Sequence, residues 1–208
     1  GLFQSDEEAA AWPRFKGTQP TAGDVKYADL NNDGIMDERD KKVVSPYSNT
    51  PEIMFGLNLS ASWKGFDFSA LFQGAANRNV MLSGFATQMF INGASNLPKY
   101  LYEDHWTPDN RDARYPKAWG PDHPSNNKSS TFWLINGNYV RLKNVELGYS
   151  ISKDLLSRVG VDRLRIYVGG SNLFSIDHMP GYDPEKQDGG PNYYPQQRVF
   201  NMGVNITF

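Results

Sequence analysis

The chain has 208 residues, a formal net charge of −2 and no cysteine. This balance gives no case for a nucleic-acid partner, which needs clustered Lys and Arg, and the missing cysteines exclude disulfides and cysteine-bound zinc. The mean hydropathy of −0.59 is polar although 13% of the residues are aromatic. Strands with long polar loops produce this combination, and so does a β-barrel wall, because alternation hides its apolar face from an average.

The first candidate site is the loop DLNNDGIMDERD, residues 29–40. Oxygen-bearing residues recur at alternate positions, and Gly34 falls at the sixth position, where a calcium loop turns sharply. The predicted ligands are Asp29, Asn31, Asp33, the carbonyl of Ile35, Asp37 and Asp40. Because aspartate at the twelfth position is shorter than the usual glutamate, we expect weak, structural Ca²⁺ binding that tolerates Mg²⁺. The alternative is an Asn-Asp-Gly turn in a solvated loop.

Two alternating stretches then predict a β-hairpin over residues 53–74. IMFGLNLSASW places Phe, Leu and Trp on one face and Asn and Ser on the other. Lys64 and Gly65 form a tight turn, after which FDFSALFQG repeats the alternation.

A long connection follows over residues 75–137, without strand periodicity and rich in Asn, Pro, Gly and Ser. One helix is predicted within SNLPKYLYEDHW, capped by Ser95 or Asn96 and with Pro98 in its first turn. A connection of this length is unusual in a compact domain, so we expect it to be functional or to pack on a partner.

Alternation returns over residues 138–208 and predicts three more strands, within GNYVRLKNVELGYSI, DRLRIYVGGSNLF and VFNMGVNITF. The pattern slips near Lys143 and Asn144, which predicts a β-bulge. Connections alternate between long and short along the whole chain, as in an up-and-down outer-membrane barrel. We therefore expect an all-β fold: an antiparallel transmembrane barrel segment of five strands, with extracellular loops over 1–52 and 75–137.

A soluble β-sandwich also alternates and is the alternative fold. In a sandwich the apolar faces meet in one dry interior, whereas in a barrel wall they meet lipid. The two folds differ most clearly in the surroundings of Leu57, Phe68, Val168 and Val204.

Six stretches carry a resemblance to a known family: GDVKYADLNNDGIMDERDKKVV, HWTPDNRDARYPKA, NYVRLKNVELGYSI, LRIYVGGSNLF, GYDPE and the terminal Phe208. In this order they resemble the C-terminal part of SusC/RagA-type TonB-dependent outer-membrane transporters. The resemblance implies a barrel of about 22 strands with an N-terminal plug, in the outer membrane of a Gram-negative, Bacteroidota-like cell. It also implies that Phe208 is the signal read by the barrel-assembly machinery.

The same resemblance implies partners and an activity. The expected partners are a SusD-like surface lipoprotein, TonB, the rest of the barrel with its plug, and outer-membrane lipid. The expected activity is TonB-powered import of oligosaccharides or peptides. The runner-up function is a soluble, secreted β-rich module that binds carbohydrate and carries a structural calcium.

No catalytic motif occurs, and His105, His123 and His178 are not at ligand spacing, so we expect no enzyme. Loop aromatic residues are the better candidates for substrate contact, because flat rings stack on sugars and pack against peptides. The candidates are Trp106, Trp119, Tyr182, Tyr193 and Tyr194. The alternative is that these rings pack loop on loop or cover the partner lipoprotein.

Overall fold

The computed structural model describes residues 1–90, 97–119, 125–156, 160–186 and 196–208. The described elements, in chain order, are α1 (Asp6–Ala11), β1 (Arg14–Phe15), β2 (Ile35–Met36), a 3-10 turn (Glu38–Asp40), β3 (Ile53–Trp63), β4 (Phe66–Ala76), β5 (Asn79–Met81), a 3-10 turn (Gly84–Ala86), α2 (Lys99–Glu103), β6 (Leu134–Asn136), β7 (Tyr139–Ser150), α3 (Lys153–Leu156), β8 (Arg163–Asp177) and β9 (Val199–Thr207). Within the described ranges, none of the helices has the length and apolar character needed to cross a membrane.

The five long strands β3, β4, β7, β8 and β9 form one antiparallel sheet, which we call the wall sheet. Its strands lie in chain order, so each pairs with its nearest long neighbours in sequence. The strands contain 9 to 15 residues, enough for a tilted strand to cross a bilayer. The predicted five-stranded, up-and-down arrangement is confirmed.

The connections alternate in length as predicted. Lys64 and Gly65 join β3 to β4, with φ angles of 47° and 87°, the doubly left-handed conformation of a type I′ hairpin turn. At the opposite end of the sheet, residues 77–138 join β4 to β7 and residues 178–198 join β8 to β9. The long connections therefore all lie at the same end of the strands, opposite the tight turn.

The predicted bulge is present in β7. Leu142 pairs with Phe72 and Asn144 pairs with Leu71, which leaves Lys143 without a partner on β4. The register to β8 shifts at the same place, and Asn172 of β8 adopts a left-handed φ of 54°. β7 and β8 are thus both irregular at the same height in the sheet.

The two faces of the wall sheet differ in chemistry. One row across the five strands reads Ala61, Phe68, Leu147, Val168 and Met202. On the opposite face, a neighbouring row reads Ser60, Ser69, Glu146, Gly169 and Asn201. We refer to these as the apolar face and the polar face.

The apolar face does not close into a core. Leu57 is 51% exposed, Phe68 39%, Val168 53% and Val204 55%. These four side chains would be buried against one another or a second sheet in a sandwich. Their exposure contradicts the sandwich alternative and agrees with a barrel wall whose apolar face meets lipid.

The described parts of the long connections are not irregular chain but a packed layer, which we call the outer layer (residues 1–52, 77–90, 97–119, 125–138 and 178–186). Its core holds the following buried side chains: Val80, Leu82, Ala86, Met89, Leu101, Tyr115, Trp119, Trp133, Ile135 and Met179. β5 pairs with β6, and Val80 and Ile135 of these two strands belong to the core. The loss of periodicity in the sequence therefore hid a small folded unit.

Helix α1 was missed by the sequence analysis. Its N-cap is Ser5, whose hydroxyl accepts a hydrogen bond from the Glu8 N–H at 3.2 Å. A serine followed three residues later by glutamate is the signature of a capping box, so the signal was present. Helix α2 begins after Pro98, which is its N-cap and not a residue of its first turn as predicted. The predicted caps Ser95 and Asn96 lie outside the described residues.

Candidate functional site

The loop at residues 29–40 is ordered by carboxylates that accept backbone hydrogen bonds. Asp29 accepts from the N–H groups of Asn32 at 2.7 Å and Gly34 at 2.8 Å. Asp40 accepts from Leu30 and Asp37, both at 2.8 Å. These bonds favour the charged form and hold the pKa of Asp40 below its ordinary value, with the Asp37 N–H as the largest cause.

Arg39 forms ion pairs with two aspartates of this loop. Its guanidinium lies 2.7 Å from a carboxylate oxygen of Asp33 and 2.8 Å from one of Asp37. The side-chain hydrogen bond from Arg39 is the main cause of a lowered pKa at Asp37. A guanidinium on two of the predicted ligands competes with a cation for the same oxygens.

The predicted calcium ligands share one loop, in which the Asn31 side chain donates a hydrogen bond to Asp33 at 3.0 Å. Among the described residues, no group of three or more His, Cys, Asp or Glu side chains is placed to hold a metal ion. Gly34 has a φ of 81°, the conformation that the sixth position of such a loop requires. The calcium assignment stays a prediction.

Two of the predicted substrate-contact rings are buried in the outer layer. Trp106 is 8% exposed and Trp119 is 6% exposed. The Trp106 ring lies against Gly23, where an added Cβ would come within 2.5 Å of it, and its Nε1 donates to Gln4 at 3.4 Å. Their burial favours the alternative of loop-on-loop packing for these two rings.

The remaining aromatic candidates differ in position. Tyr182 is half-buried, with its ring 5.9 Å from that of Tyr100 in an edge-on contact. Tyr193 and Tyr194 lie outside the described residues. Trp63 is 69% exposed beside the tight turn, and Phe208 follows β9 and is 84% exposed. The assembly role of Phe208 stays a prediction.

Charged side chains on the polar face form a network near the tight-turn end. Arg165 contacts Asp67 at 2.6 Å and Glu146 at 2.7 Å, which joins three adjacent strands. Gly148 lies under this network, where a Cβ would come within 2.3 Å of the Asp67 carboxylate. Alternation alone did not predict these ion pairs, because it assigns side chains to a face but not to partners on neighbouring strands.

A second network holds residues 178–186, which we call the return segment, against the polar face. The guanidinium of Arg141 on β7 lies 3.0 Å from Asp183, and both side chains are under 10% exposed. Arg141 also contacts Glu185 at 3.0 Å, and Lys143 contacts the same carboxylate at 2.8 Å. The GYDPE motif therefore returns over the wall instead of extending away from it.

Arg78 also holds the return segment, through hydrogen bonds to its backbone carbonyls. Its Nη1 donates to the carbonyl of Pro184 at 2.8 Å and its Nη2 to that of Lys186 at 2.6 Å. Arg78 is 2% exposed, and burial lowers its pKa from the ordinary value. Arginine is suited to this position because its planar fork can hold two carbonyls at once.

Between the return segment and the wall sheet lies a polar cavity of about 280 Å³. It is lined by Arg141, Asn172, Phe174, Ser175, Gly181, Tyr182, Asp183, Pro184, Gln196 and Arg198. Tyr182 is the one predicted substrate-contact residue among these, because the lining is assembled from two strands, β7 and β8, and the connection between β8 and β9. Of the motifs that contribute to it, LRIYVGGSNLF predicted a strand and GYDPE contains Tyr182, but their spacing in sequence does not indicate a shared cavity.

Comparisons with known proteins agree with this architecture. TonB-dependent receptor P26 of Formosa agariphila is 31% identical over 221 aligned residues, which include all of this chain and 22% of that protein. TonB-dependent receptor SusC of Bacteroides thetaiotaomicron is 24% identical over 185 residues, 88% of this chain and 17% of that protein. No family model matches the chain.

Solved structures give the same result. The structure of the RagAB peptide transporter matches with a TM-score of 0.57 and 28% identity, over 78% of this chain and 18% of that chain. The RagAB peptide importer in its closed-closed state matches with a TM-score of 0.60 at the same identity and coverage. The chain belongs to the SusC/RagA family of TonB-dependent receptors.

Family membership assigns the two faces of the wall sheet. In a SusC/RagA-type barrel the apolar face meets lipid and the polar face lines the lumen. The return segment and its cavity are then on the lumen side of the wall sheet. This chain spans about a fifth of the length of the curated relatives it matches.

Proposed function

We propose that this chain forms five wall strands and the outer loops of a TonB-dependent importer in the outer membrane. The whole barrel would have about 22 strands and a plug, and the work of transport would be powered through TonB. The observation that carries the proposal is the apolar face, which stays exposed across all five strands in a chain whose relatives are receptors and transporters. We propose no catalysis for these residues.

The proposed cargo is an oligosaccharide or a peptide. Similarity to a peptide transporter favours a peptide, and the oligosaccharide class is retained because the family resemblance seen in the sequence implies it. The lumen face is lined by charged and amide side chains, including Glu146, Arg165 and Asn201. Such groups can exchange hydrogen bonds with either kind of cargo.

The proposed partner is a SusD-like surface lipoprotein that docks on the outer layer. The outer layer is a folded platform rather than loose loops, because its core and buried hydrogen bonds fix its shape. For example, the Asn126 side chain accepts from the Val25 N–H at 2.8 Å and donates to Asp24 at 2.9 Å. A rigid platform loses little conformational entropy when a partner binds.

A gene deletion tests the importer proposal. We expect an in-frame deletion of the complete gene to abolish growth on one oligosaccharide or peptide mixture and to leave growth on glucose unchanged. Restoring the gene should restore growth, and a tagged copy should fractionate with the outer membrane and copurify with a lipoprotein. Unchanged growth on every oligosaccharide and peptide tested, or recovery in the soluble fraction, would overturn the proposal.

A further inference from the structure

We propose that the cavity between the return segment and the wall sheet binds a carboxylate group of the imported cargo. The proposal rests on the importer function and adds to it a site and a chemical class of ligand. Four observations carry it: a preformed cavity, a buried acceptor and an arginine that both lack a partner among the described residues, and a net positive lining.

The cavity is preformed because its outer wall is fixed by buried contacts. The return segment is held through Asp183 by Arg141 at 3.0 Å and through the Pro184 carbonyl by Arg78 at 2.8 Å. Ligand sites in proteins are usually concave and largely formed before the ligand arrives. A volume of about 280 Å³ accommodates one amino-acid residue or one sugar ring rather than a whole oligomer.

Asn172 lines this cavity and carries a hydrogen-bond acceptor without a partner among the described residues. Its Nδ2 donates to the Gln197 carbonyl at 3.3 Å, while its Oδ1 is buried without a hydrogen-bond partner in the described structure. Buried polar atoms are nearly always partnered, so an exception calls for an explanation. A ligand N–H or hydroxyl group would provide the missing donor.

The backbone at Asn172 supports a functional reading of the same residue. Its φ of 54° lies in the left-handed region in the middle of strand β8, opposite the bulge at Lys143. Asparagine tolerates this conformation better than most residues, yet it still disrupts the strand pairing. Bulges and left-handed residues concentrate at binding sites, where they re-aim a side chain.

Arg198 supplies the charge that selects the ligand. The charged residues in the lining are two arginines and one aspartate, so the lining is positive overall. Arg141 is already paired with Asp183. Arg198, directly before β9, makes no hydrogen bond or ion pair with any residue that the structure describes. A guanidinium without a partner favours a carboxylate, which it can bind through two parallel hydrogen bonds.

The ligand is therefore a carboxylate with a donor group close to it. In a peptide, the two groups are an acidic side chain or C-terminus and a backbone N–H. In an acidic oligosaccharide, they are a uronic acid and a ring hydroxyl. The chemistry of the site is the same for both sources, and the probes of the experiment separate them.

Calorimetry on the purified full-length transporter tests this inference. The probes are triglutamate and tri-galacturonic acid, each compared with a neutral counterpart: amidated triglutamine and galactotriose. We expect one acidic probe to bind at least about 10-fold more tightly than its neutral counterpart, the order of effect of one charge-assisted hydrogen-bond pair. Glutamate or uronate preference identifies the source.

Two variants locate the binding. Arg198→Gln, at an exposed position, is expected to lower the affinity for the preferred acidic probe about 10-fold. Asn172→Gly accepts the left-handed backbone but removes the acceptor, so it should weaken binding of both the acidic and the neutral probe. Arg163→Gln, at the far end of β8, is the matched control and should bind like wild type.

The outcomes separate this proposal from the importer function. Equal binding of acidic and neutral probes, no binding of either acidic probe, or wild-type affinity in Arg198→Gln would overturn the carboxylate site. The importer proposal is judged separately by the growth of the deletion strain. A strain that needs the gene for uptake, with an Arg198→Gln protein that binds normally, would refute the site alone.

Discussion

Arg141 of a wall strand and Asp183 of the return segment form an ion pair at 3.0 Å, with side chains 7% and 8% exposed. The pair connects residues that are far apart in sequence and belong to different layers. Removing one member of a buried pair leaves the other charge without its partner, which costs about 3–5 kcal/mol in general. The return segment should therefore depend strongly on this contact.

Asp183→Asn tests that dependence. We expect local opening of residues 178–186 to become easier by about 2–3 kcal/mol, somewhat less than the general range because Glu185 still contacts Arg141. Hydrogen exchange measured on the peptide that contains residues 178–186 reads this change. Glu38→Gln is the control, because its ion pair with Lys41 is exposed and should contribute well under about 1 kcal/mol. Equal effects of the two variants would contradict the assignment.

Gly74 lies at a position in the wall sheet where a larger residue does not fit. A Cβ there would come within 2.6 Å of the Tyr139 carbonyl and 2.4 Å of the Phe55 ring. Because the carbonyl belongs to the neighbouring strand, it cannot move without disturbing the sheet. Gly74→Ala should destabilise the barrel by about 1–3 kcal/mol, measured as a lower unfolding midpoint in detergent.

Gly56→Ala is the matched control for that experiment. Gly56 is also a strand glycine, but the nearest atom to its added Cβ is the Phe72 carbonyl at 3.8 Å, an ordinary contact. The midpoint of this variant should stay close to that of the wild type. If both variants lowered the midpoint equally, the effect would come from strand propensity and not from the contacts of Gly74.

The wall was predictable from sequence because its order is local and periodic. Side chains alternate between faces every residue, so stretches such as residues 53–63 and 199–207 show their two faces directly. The bulge was visible as a slip in that alternation at Lys143. Lipid contact followed from loop lengths, which need no tertiary information.

The outer layer and the cavity could not be predicted in the same way. Trp133 packs in a core with Leu82 and Met179. These residues come from separate segments, and no repeating spacing in the sequence relates them. Arg141 and Asp183 are separated by a whole strand and a loop, so no motif spacing brings them together. Contacts between layers depend on how the long connections fold back, and alternation says nothing about that.

The loop at residues 29–40 should lose order in acid. Backbone N–H groups bond to the charged form of Asp40 and hold its pKa below the ordinary value, about 3.9 in an unfolded chain. The stabilisation is present above that value and is lost as the pH falls through the lower folded-state pKa. Protection of the Leu30 amide from hydrogen exchange, corrected for the intrinsic rate, should decrease below about pH 4. In Asp40→Asn, this pH dependence should be absent, and its persistence would contradict the role of Asp40.

Calcium binding to the same loop is the remaining prediction from the sequence. A loop with aspartate at the twelfth position should bind Ca²⁺ weakly, with a Kd of about 10⁻⁴ to 10⁻³ M, and Mg²⁺ should compete. Arg39 lies 2.7 Å from Asp33 and 2.8 Å from Asp37, so the guanidinium must leave these oxygens before a cation can use them. Arg39→Gln should therefore tighten Ca²⁺ binding several-fold, whereas Asp29→Asn should weaken it. Calorimetry with millimolar CaCl₂ on the full-length protein measures both changes. The absence of binding heat in both wild type and Arg39→Gln would refute the metal site. The loop would then be explained by the Asn-Asp-Gly turn alone.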